Sequence, residues 1–321
     1  MRALTVPHGT GAMRLDRFLT SHVPGCSRRS AQRVIAAAAV RVNGRLARKG
    51  QTVAGGDVVD VPEELYAPPT LQPNPQLAVR ILYEDDTLIA IDKPAGMPSH
   101  ALRAEETDTA ANFLLARYPE LAAVGKGEKE PGLVHRLDTD TSGVLLAART
   151  AHAYAVLRRQ FSAHQVAKEY RTLVHGDVAA GGELRMPIAH ERHNRRKMRV
   201  CALSGPRPGA RAAVTRYRPL ERFGPYTLLA VEIPTGVMHQ IRVHLASVGH
   251  PIVGDHLYGG AVCDSDPPRH LLHASRVTVV HPQTGGPLTV ECALPADFDA
   301  FVSQQRATQR ACGGRTRKAR H

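Results

Sequence analysis

The sequence predicts an α+β fold organised as two units. A chain of 321 residues has room for about two domains, at roughly 100–200 residues each. From residue 79 onward, short apolar runs typical of strands follow one another, and helical segments interrupt them at irregular intervals. This pattern favours α+β over a doubly wound parallel sheet, in which strands and helices alternate regularly.

The first unit, over residues 13–62, has the pattern of two helices followed by a hairpin. Apolar residues recur at helical spacing from Leu15 to Leu19, and Ser27 is a suitable N-cap for a second helix. The dipeptide Asn43-Gly44, between short apolar runs, then predicts a two-residue hairpin turn. Together these elements predict a small helix–helix–hairpin module.

A proline-rich segment separates this module from the rest of the chain. Residues 63–78 contain several prolines and an acidic pair, a composition typical of a linker. We expect the second unit over 79–302. The remaining residues, 303–321, are polar, basic and interrupted by glycine, and we expect them to be disordered.

The second unit has a recognisable order of elements. Apolar and β-branched runs predict strands at 79–83, 88–91, 144–148, 170–174, 228–233, 277–280 and 288–293. Longer periodic segments predict helices at 107–118, 151–162 and 239–248.

Clustered positive charge indicates a polyanionic partner. The chain carries 42 Lys and Arg against 29 Asp and Glu, a formal net charge of +13. Ten bases and three acids fall within residues 1–62, and eleven bases and two acids fall within 185–222. Such clusters are typical of proteins that bind nucleic acid.

Other broad classes are disfavoured. With 43% apolar and 22% charged residues, the composition is that of a globular protein and not of a disordered chain. The longest apolar run, residues 34–40, is far shorter than the roughly 18 residues of a membrane-spanning helix. No secretory-signal pattern begins the chain, and the five cysteines form no C-x-x-C pair. We therefore expect a cytoplasmic protein without a metal site.

Asp138 is the first candidate for chemistry, because it lies in a polar stretch that ends in an apolar strand. Asp138 and Asp140 could hold a divalent metal, but no further oxygen ligands lie nearby. An aspartic-protease site needs a second such element, and a glycosidase needs a partner carboxylate, for which Asp255 is a possibility. An ordinary turn also fits the spacing. The remaining alternative is one nucleophilic or basic carboxylate kept ionised by an arginine.

Two later segments add candidate groups. Lys168-x-Tyr170 opens a predicted strand and places a phenol beside an amine. His239, Gln240 and Arg242 occupy the first turns of a predicted helix. The five-residue spacing from His239 to the next histidine differs from the i,i+4 pair of a helical zinc site.

Taken together, these segments resemble the RluA-type pseudouridine synthases. The matching blocks keep the family's order over about residues 79–300, at 81–86, 92–96, 135–143, 168–170, 239–244 and 249–255. Residues 13–62 separately resemble the alpha-L RNA-binding module first named from a small-subunit ribosomal protein. The pairing of this module with a synthase is typical of enzymes that act on large-subunit ribosomal RNA.

The resemblance implies a mixed, mainly antiparallel sheet with flanking helices, and conversion of uridine in RNA to its carbon-linked isomer without a cofactor. By position, Asp138 is the essential carboxylate, Arg242 pairs with it, and Tyr170 packs on the base and is placed to take its C5 proton. Whether Asp138 attacks the anomeric carbon or removes a sugar proton stays open. Val237 stands where the family commonly has arginine, which leaves a positioning contact and the choice of target open.

The same resemblance and the charge clusters predict the RNA contacts. Arg136, beside Asp138, matches a residue that can fill the stack vacated by a flipped base. The full set of expected contacts is basic or polar: Arg14, Arg17, Arg28, Arg29, Arg33, Arg45, Arg136, Lys168, Arg195, Arg196, Lys197, His239 and Gln240.

The favoured substrate is large-subunit ribosomal RNA, free or in an assembling subunit, with no membrane and no obligate protein partner. The same chemistry on transfer RNA or small-subunit ribosomal RNA is one alternative. A non-catalytic RNA-binding protein of ribosome assembly is an alternative of a different class, because it explains the charge equally well.

Overall fold

The chain divides into two units, Met1–Thr70 and Leu71–His321. The computed structural model describes residues 1–24, 26–66, 71–101, 106–125, 130–194, 196–202, 208–259 and 266–318, with the side chains of Arg29 and of 312–318 left aside.

The N-terminal unit contains the predicted pair of helices and the predicted hairpin. Its elements are β1 (Arg2–Thr5), β2 (Met13–Arg14), α1 (Leu15–His22), α2 (Arg28–Ala36), β3 (Arg41–Val42), β4 (Arg45–Leu46), β5 (Thr52–Val53) and β6 (Val58–Val61). The Ser27 side chain caps α2 by accepting a hydrogen bond from the Ser30 amide at 3.1 Å. Asn43 and Gly44 both have positive φ, as a type I′ hairpin turn requires.

One buried carboxylate holds the helices of this unit together. Asp16, at the start of α1, is only 4% exposed and accepts hydrogen bonds from Arg14, Arg28 and Gln32 at 2.9, 3.2 and 2.8 Å. The hydrogen bond from Arg14 is the largest of the effects that hold the pKa of Asp16 far below its usual range. Two arginines expected to contact RNA therefore also stabilise the unit.

The linker predicted over 63–78 contains residues that pack into the cores of both units. Leu65 is buried in the core of the N-terminal unit, and Leu71 is buried in the core of the second unit. Asn74 also donates a hydrogen bond from its side chain to the Thr107 carbonyl at 3.0 Å. Residues 67–70 lie outside the described part of the chain.

The second unit is built on a nine-stranded sheet. Its strands are β7 (Arg80–Glu84), β8 (Leu88–Lys93), β9 (Ser142–Ala148), β10 (Ala167–His175), β11 (Gly182–Leu184), β14 (Thr215–Arg222), β15 (Tyr226–Glu232), β16 (Leu272–Val280) and β17 (Pro287–Glu291), and β12 (Ile188–His190) pairs separately with β13 (Met198–Val200). The order is β11-β14-β15-β10-β16-β9-β8-β7, with β17 also on β16. Among the described residues, β9 and β16 pair in parallel and the other neighbours are antiparallel, which confirms a mixed, mainly antiparallel sheet.

Four helices accompany the sheet: α3 (Ala110–Arg117), α4 (Ala151–Ser162), α5 (Gln240–Ser247) and α6 (Ala296–Lys318). The three predicted helices are confirmed, and α4 has the predicted bounds because Thr150 caps its first turn. All seven predicted strands are present with ends shifted by a few residues. The sequence did not predict β11 to β14, which are short or, in β14, polar on alternate residues. In the described part of the chain, no helix has the length and apolarity to span a bilayer.

Helix α6 corrects the expectation of a disordered tail over 303–321. Phe298 and Val302 are fully buried, so tertiary packing anchors the first turns of the helix. Arg306 then forms an ion pair with Glu221 on β14 at 2.8 Å. A helix that is nucleated in this way extends at little further cost through residues 304–311, which are mostly alanine, glutamine and arginine and favour helix. Residues 319–321 lie outside the described part of the chain.

The parallel pairing of β9 with β16 determines where the loop before β9 lies. Gly143, near the start of β9, pairs with Ala274, and its φ of +109° is one that other residues rarely adopt. A Cβ at this position would collide with the Ala274 carbonyl oxygen. Glycine therefore lets the two strands approach closely enough to bring the loop of Asp138 against β16.

We expect Phe298→Ala to lower the free energy of unfolding of the second unit by about 3–5 kcal/mol, because the substitution removes a fully buried ring. Denaturant unfolding checks the free energy, and amide exchange checks whether α6 opens with it. Ser303→Ala, at an exposed position of the same helix, is the matched control. An equal loss in both variants would contradict docking of α6 through Phe298.

Candidate active site

The loop that carries Asp138 is held on both sides by buried polar side chains. Ser99 accepts a hydrogen bond from the Leu137 amide at 2.9 Å and donates one to the Leu137 carbonyl at 2.8 Å. Lys93 donates from its ammonium group to the Thr139 carbonyl at 2.9 Å and to two further carbonyls. Both neighbours of Asp138 are thus fixed through their backbone.

Lys93 is a fully buried cation beside this loop. Burial lowers its pKa to about 7, and the carboxylate of Asp138 opposes that shift. The resemblance included Lys93 only as part of a matching block, so its role was not predicted. A lysine at the end of an apolar strand, directly before proline, is the signal that could have suggested a buried one.

Arg242 joins two carboxylates. Its Nη1 atom donates to Oδ2 of Asp138 at 3.1 Å. Its Nε and Nη2 atoms donate to the two oxygens of Asp255 at 2.7 and 2.9 Å, a bidentate pair. The side chain of Asp255 is fully buried, whereas that of Asp138 is 26% exposed. Arg242 is therefore oriented by Asp255 and presented to Asp138.

The charges in this group stabilise one another. Burial alone would raise the pKa of Asp255, but its hydrogen bonds with Arg242 hold the pKa below the usual value. Burial likewise opposes the charge of Arg242, and the two carboxylates raise its pKa in spite of that. The guanidinium stays charged at any physiological pH.

Gln240, one of the expected RNA contacts, is held by protein groups. Its Oε1 atom accepts hydrogen bonds from Thr235 and from the Val237 amide at 2.9 and 3.1 Å. Its Nε2 atom donates to the Val214 carbonyl and to the Thr215 hydroxyl at 2.8 and 3.1 Å. The residue is 2% exposed and has these four protein partners. Gln240 thus fastens the start of α5 to β14 at the wall of the cleft.

His239 lies beside Asp138 as the residue before α5. Its Nε2 atom is 3.7 Å from Oδ2 of Asp138, and its Nδ1 atom is 2.9 Å from the hydroxyl of Tyr258. Burial lowers the pKa of His239, so the ring is neutral near pH 7. The residue has φ 55° and ψ 19°, a left-handed conformation that is uncommon for residues other than glycine.

Tyr170 and Lys168 come from β10, at the middle of the sheet. Tyr170 is paired with Val231 on one side and Ala274 on the other. Burial and then the Asp138 carboxylate raise the pKa of Tyr170, so its phenol is neutral. Lys168 donates to the Thr235 carbonyl at 3.0 Å, and burial lowers its pKa to about 8.

These groups line one cleft of about 880 Å³ in the second unit. Three separate chain segments contribute the predicted residues that line it: Arg136, Asp138, Lys168, Tyr170, His239, Gln240 and Arg242. Arg136 is exposed, while Tyr170 and Arg242 are buried. A cleft of this volume can take a nucleotide that has left its helix.

Val237, the departure from the family pattern, also lies at this cleft. It is 7% exposed and belongs to an apolar cluster with Ile188, Met198 and Val243. The surroundings of residue 237 are therefore apolar, which suits the valine of this chain.

The predicted contacts on the β12–β13 hairpin precede Met198, a residue of the same hairpin that lines the cleft. The Lys197 ammonium is 5.5 Å from the centre of the Tyr258 ring, and Arg196 is exposed. Arg195 lies outside the described residues.

In the N-terminal unit the predicted arginines are exposed: Arg14, Arg17, Arg28, Arg33 and Arg45. A depression of about 280 Å³ in this unit is lined by Arg14, Arg33 and Lys49, among others. The side chain of Arg29 is outside the described part of the structure.

Two residues of the site were not predicted in their roles. Asp255 was considered only as a glycosidase carboxylate, but it is fully buried against Arg242 and cannot serve as a second exposed acid. Tyr258 was not singled out at all. The three-residue spacing from Asp255 to Tyr258 is a signal that could have identified it. Asp255 accepts hydrogen bonds from the Leu257 and Tyr258 amides, and these bonds position Tyr258.

Comparison with known proteins gives matches over most of the chain. Residues 87–247 match the family described as RNA pseudouridylate synthase, and residues 13–59 match the S4 domain. The chain is 37% identical over 318 residues to the ribosomal large subunit pseudouridine synthase D of Xanthomonas campestris pv. campestris, a match that covers 95% of this chain and 93% of the relative. It is 40% identical over 307 residues to an uncharacterized RNA pseudouridine synthase of Chloroflexus aurantiacus, with 94% and 93% covered.

Solved structures agree. Human RNA Pseudouridylate Synthase Domain Containing 4 superposes with a TM-score of 0.57 at 25% identity, covering 70% of this chain and 92% of its own. Human RNA Pseudouridylate Synthase Domain Containing 1 shares the fold, with a TM-score of 0.55 at 24% identity over 74% of this chain and 98% of its own. The chain belongs to the RluA-type family of RNA pseudouridine synthases and carries an N-terminal S4 RNA-binding domain.

Proposed function

We propose that this synthase isomerises specific uridines of large-subunit ribosomal RNA in the cytoplasm, with Asp138 as the essential carboxylate and with no cofactor. Relatives whose names state a substrate, such as that of Xanthomonas campestris, are ribosomal large subunit enzymes. The basic residues of the S4 domain and of 185–222 supply the charge that binding to a long RNA requires.

One observation carries the proposal: a partly exposed carboxylate whose cationic partner is fixed by a second, fully buried carboxylate. Asp138 is the member of this group that a substrate can reach. The reaction breaks the bond between the sugar C1′ and N1 of uracil, the base turns, and C5 bonds to C1′. The Asp138 carboxylate, to which Arg242 donates a hydrogen bond, can begin this by attack at C1′ or by removal of a sugar proton. In the first case the bond from Asp138 to C1′ breaks again as C5 bonds there, and in the second case the proton returns to the sugar.

Tyr170 completes the isomerisation in this proposal. After C5 has bonded to C1′ it still carries its hydrogen, which must leave as a proton while N1 regains one. Tyr170 lies in the same cleft, where its ring packs on the base and its oxygen is placed to accept that proton. Because the phenol is neutral, its oxygen takes the C5 proton only as its own hydrogen passes on, with N1 as the final acceptor, so the proton lost at C5 is balanced by the one gained at N1.

Access to the site requires that the uridine leave its stack. Unstacking costs a few kcal/mol. Arg136 is exposed at the cleft and lies two residues before Asp138, so it is placed to occupy the space that the base leaves. Arg196, Lys197 and the S4 domain then hold the surrounding phosphates.

We expect Asp138→Asn to reduce turnover by at least about a thousandfold, because the amide can neither attack nor accept a proton. RNA affinity should hardly change. The assay is tritium release from ribosomal RNA labelled at C5 of uridine, with labelled transfer RNA in parallel. Asp140→Asn makes the same chemical change in the same loop and should stay active. Release by Asp138→Asn at the wild-type rate would exclude the proposed role.

We expect Tyr170→Phe to bind ribosomal RNA normally and to lose about a hundredfold in turnover, since phenylalanine keeps the ring and removes the proton acceptor. Tritium release in a single turnover at saturating RNA measures the rate of the chemical steps separately from RNA binding. Unchanged release would restrict Tyr170 to packing on the base.

We expect the double substitution Arg17→Ala, Arg45→Ala to weaken binding of ribosomal RNA and to lower the slope of log affinity against log salt by about one for each phosphate that the variant no longer binds. The rate at saturating RNA should be unchanged. Arg276→Ala is the control, because it removes an exposed arginine that is paired with Glu291 in the second unit. Equal salt slopes for the double variant and the wild type would show that these arginines do not bind the RNA.

A further inference from the structure

The hydroxyl of Tyr258 connects strand β13 to His239. It accepts a hydrogen bond from the Met198 amide at 2.7 Å, and it lies 2.9 Å from Nδ1 of His239. Burial raises the pKa of Tyr258 to about 12, so the hydroxyl keeps its hydrogen. Since the hydroxyl oxygen already accepts from the Met198 amide, the arrangement in which the hydroxyl both accepts and donates directs its hydrogen to His239.

This contact determines the tautomer of His239. A neutral imidazole carries one hydrogen, and the nitrogen that accepts a hydrogen bond cannot carry it. Nδ1 accepts from Tyr258, so the hydrogen is on Nε2. The ring stays neutral because burial lowers its pKa in spite of the Asp138 and Asp255 carboxylates.

The Nε2–H group faces the same carboxylate oxygen that Arg242 binds. Nε2 of His239 is 3.7 Å from Oδ2 of Asp138, and Nη1 of Arg242 is 3.1 Å from it. The first distance is longer than a hydrogen bond, as is common in a site that tightens when substrate binds. Among the described residues, no group hydrogen-bonds Oδ1 of Asp138.

Tyr258 also supports the arginine. Its ring lies 5.2 Å from the guanidinium carbon of Arg242 and packs edge-on against His239, with 5.7 Å between ring centres. One side chain thus contacts both groups that face Oδ2.

We propose that Tyr258 is a positioning residue for the reaction: its hydroxyl holds His239 as an Nε2–H donor, which with Arg242 secures Oδ2 of Asp138 and leaves Oδ1 as the oxygen that reacts. This inference rests on the proposed function of Asp138. It also gives His239, which the sequence placed among the RNA contacts, an orienting function toward the carboxylate.

The tautomer can be measured without any RNA. In protein with ¹⁵N-labelled histidine, NMR spectra distinguish a ring protonated on Nε2 from one protonated on Nδ1, and His239→Gln identifies the signal. We expect a single neutral Nε2–H form in the wild type and a mixture with the Nδ1–H form in Tyr258→Phe. Tyr217→Phe, which removes a hydroxyl from β14 away from the cleft, should keep the wild-type spectrum.

The consequence for catalysis is measured at saturating ribosomal RNA. Loss of one hydrogen bond that orients the carboxylate should slow Tyr258→Phe about tenfold with RNA affinity within about twofold of the wild type. His239→Gln, which keeps a neutral N–H donor, should retain more turnover than His239→Ala. A merely structural role would not produce that rescue.

Three results would overturn the inference: an Nδ1–H or charged His239 in the wild type, an unchanged tautomer in Tyr258→Phe, or an altered tautomer with an unchanged rate. The first two need no substrate, so they are independent of whether ribosomal RNA is the substrate. Loss of turnover in Asp138→Asn together with unchanged turnover in Tyr258→Phe would contradict the positioning role of Tyr258 and would leave the proposed role of Asp138 intact.

Discussion

The second unit depends on the charge of Arg242 being balanced where it is buried. A buried guanidinium without a partner would be strongly destabilising, since removing one member of a buried ion pair costs about 3–5 kcal/mol. Asp255 supplies a bidentate partner and Asp138 a second carboxylate. The loop before β9, the start of α5 and the loop before β16 must therefore meet at one point, and that point is the candidate active-site cleft.

The groups around this point act mostly on the backbone. Ser99 and Lys93 hold the residues on either side of Asp138, and Gln240 holds the segment that leads into α5. Because the backbone is fixed on both sides, the carboxylate itself can remain partly exposed to a substrate. Pre-organisation of this kind reduces the reorganisation needed when the reaction begins.

The two units offer different kinds of surface to RNA. The S4 domain presents exposed arginines, and the buried Asp16 joins its two helices, so RNA contacts through these arginines would be with phosphate charge and sensitive to salt. The catalytic unit instead offers a deep cleft in which a base can be packed and oriented. Affinity and chemistry can therefore be altered separately by substitution.

Residue patterns along the chain predicted the features that depend on neighbouring residues: the capped helices α2 and α4, the Asn43-Gly44 turn and the central strands, with Asp138, Tyr170 and Arg242 as candidates through their motifs. Only the folded chain shows the pairing of Asp255 with Arg242, the hydrogen bonds of Gln240 with protein partners, and the docking of α6 through Phe298. Local periodicity reports which face of an element is apolar, but it carries no information on which distant side chain will meet it. Contacts across the sheet exist only after the chain has folded.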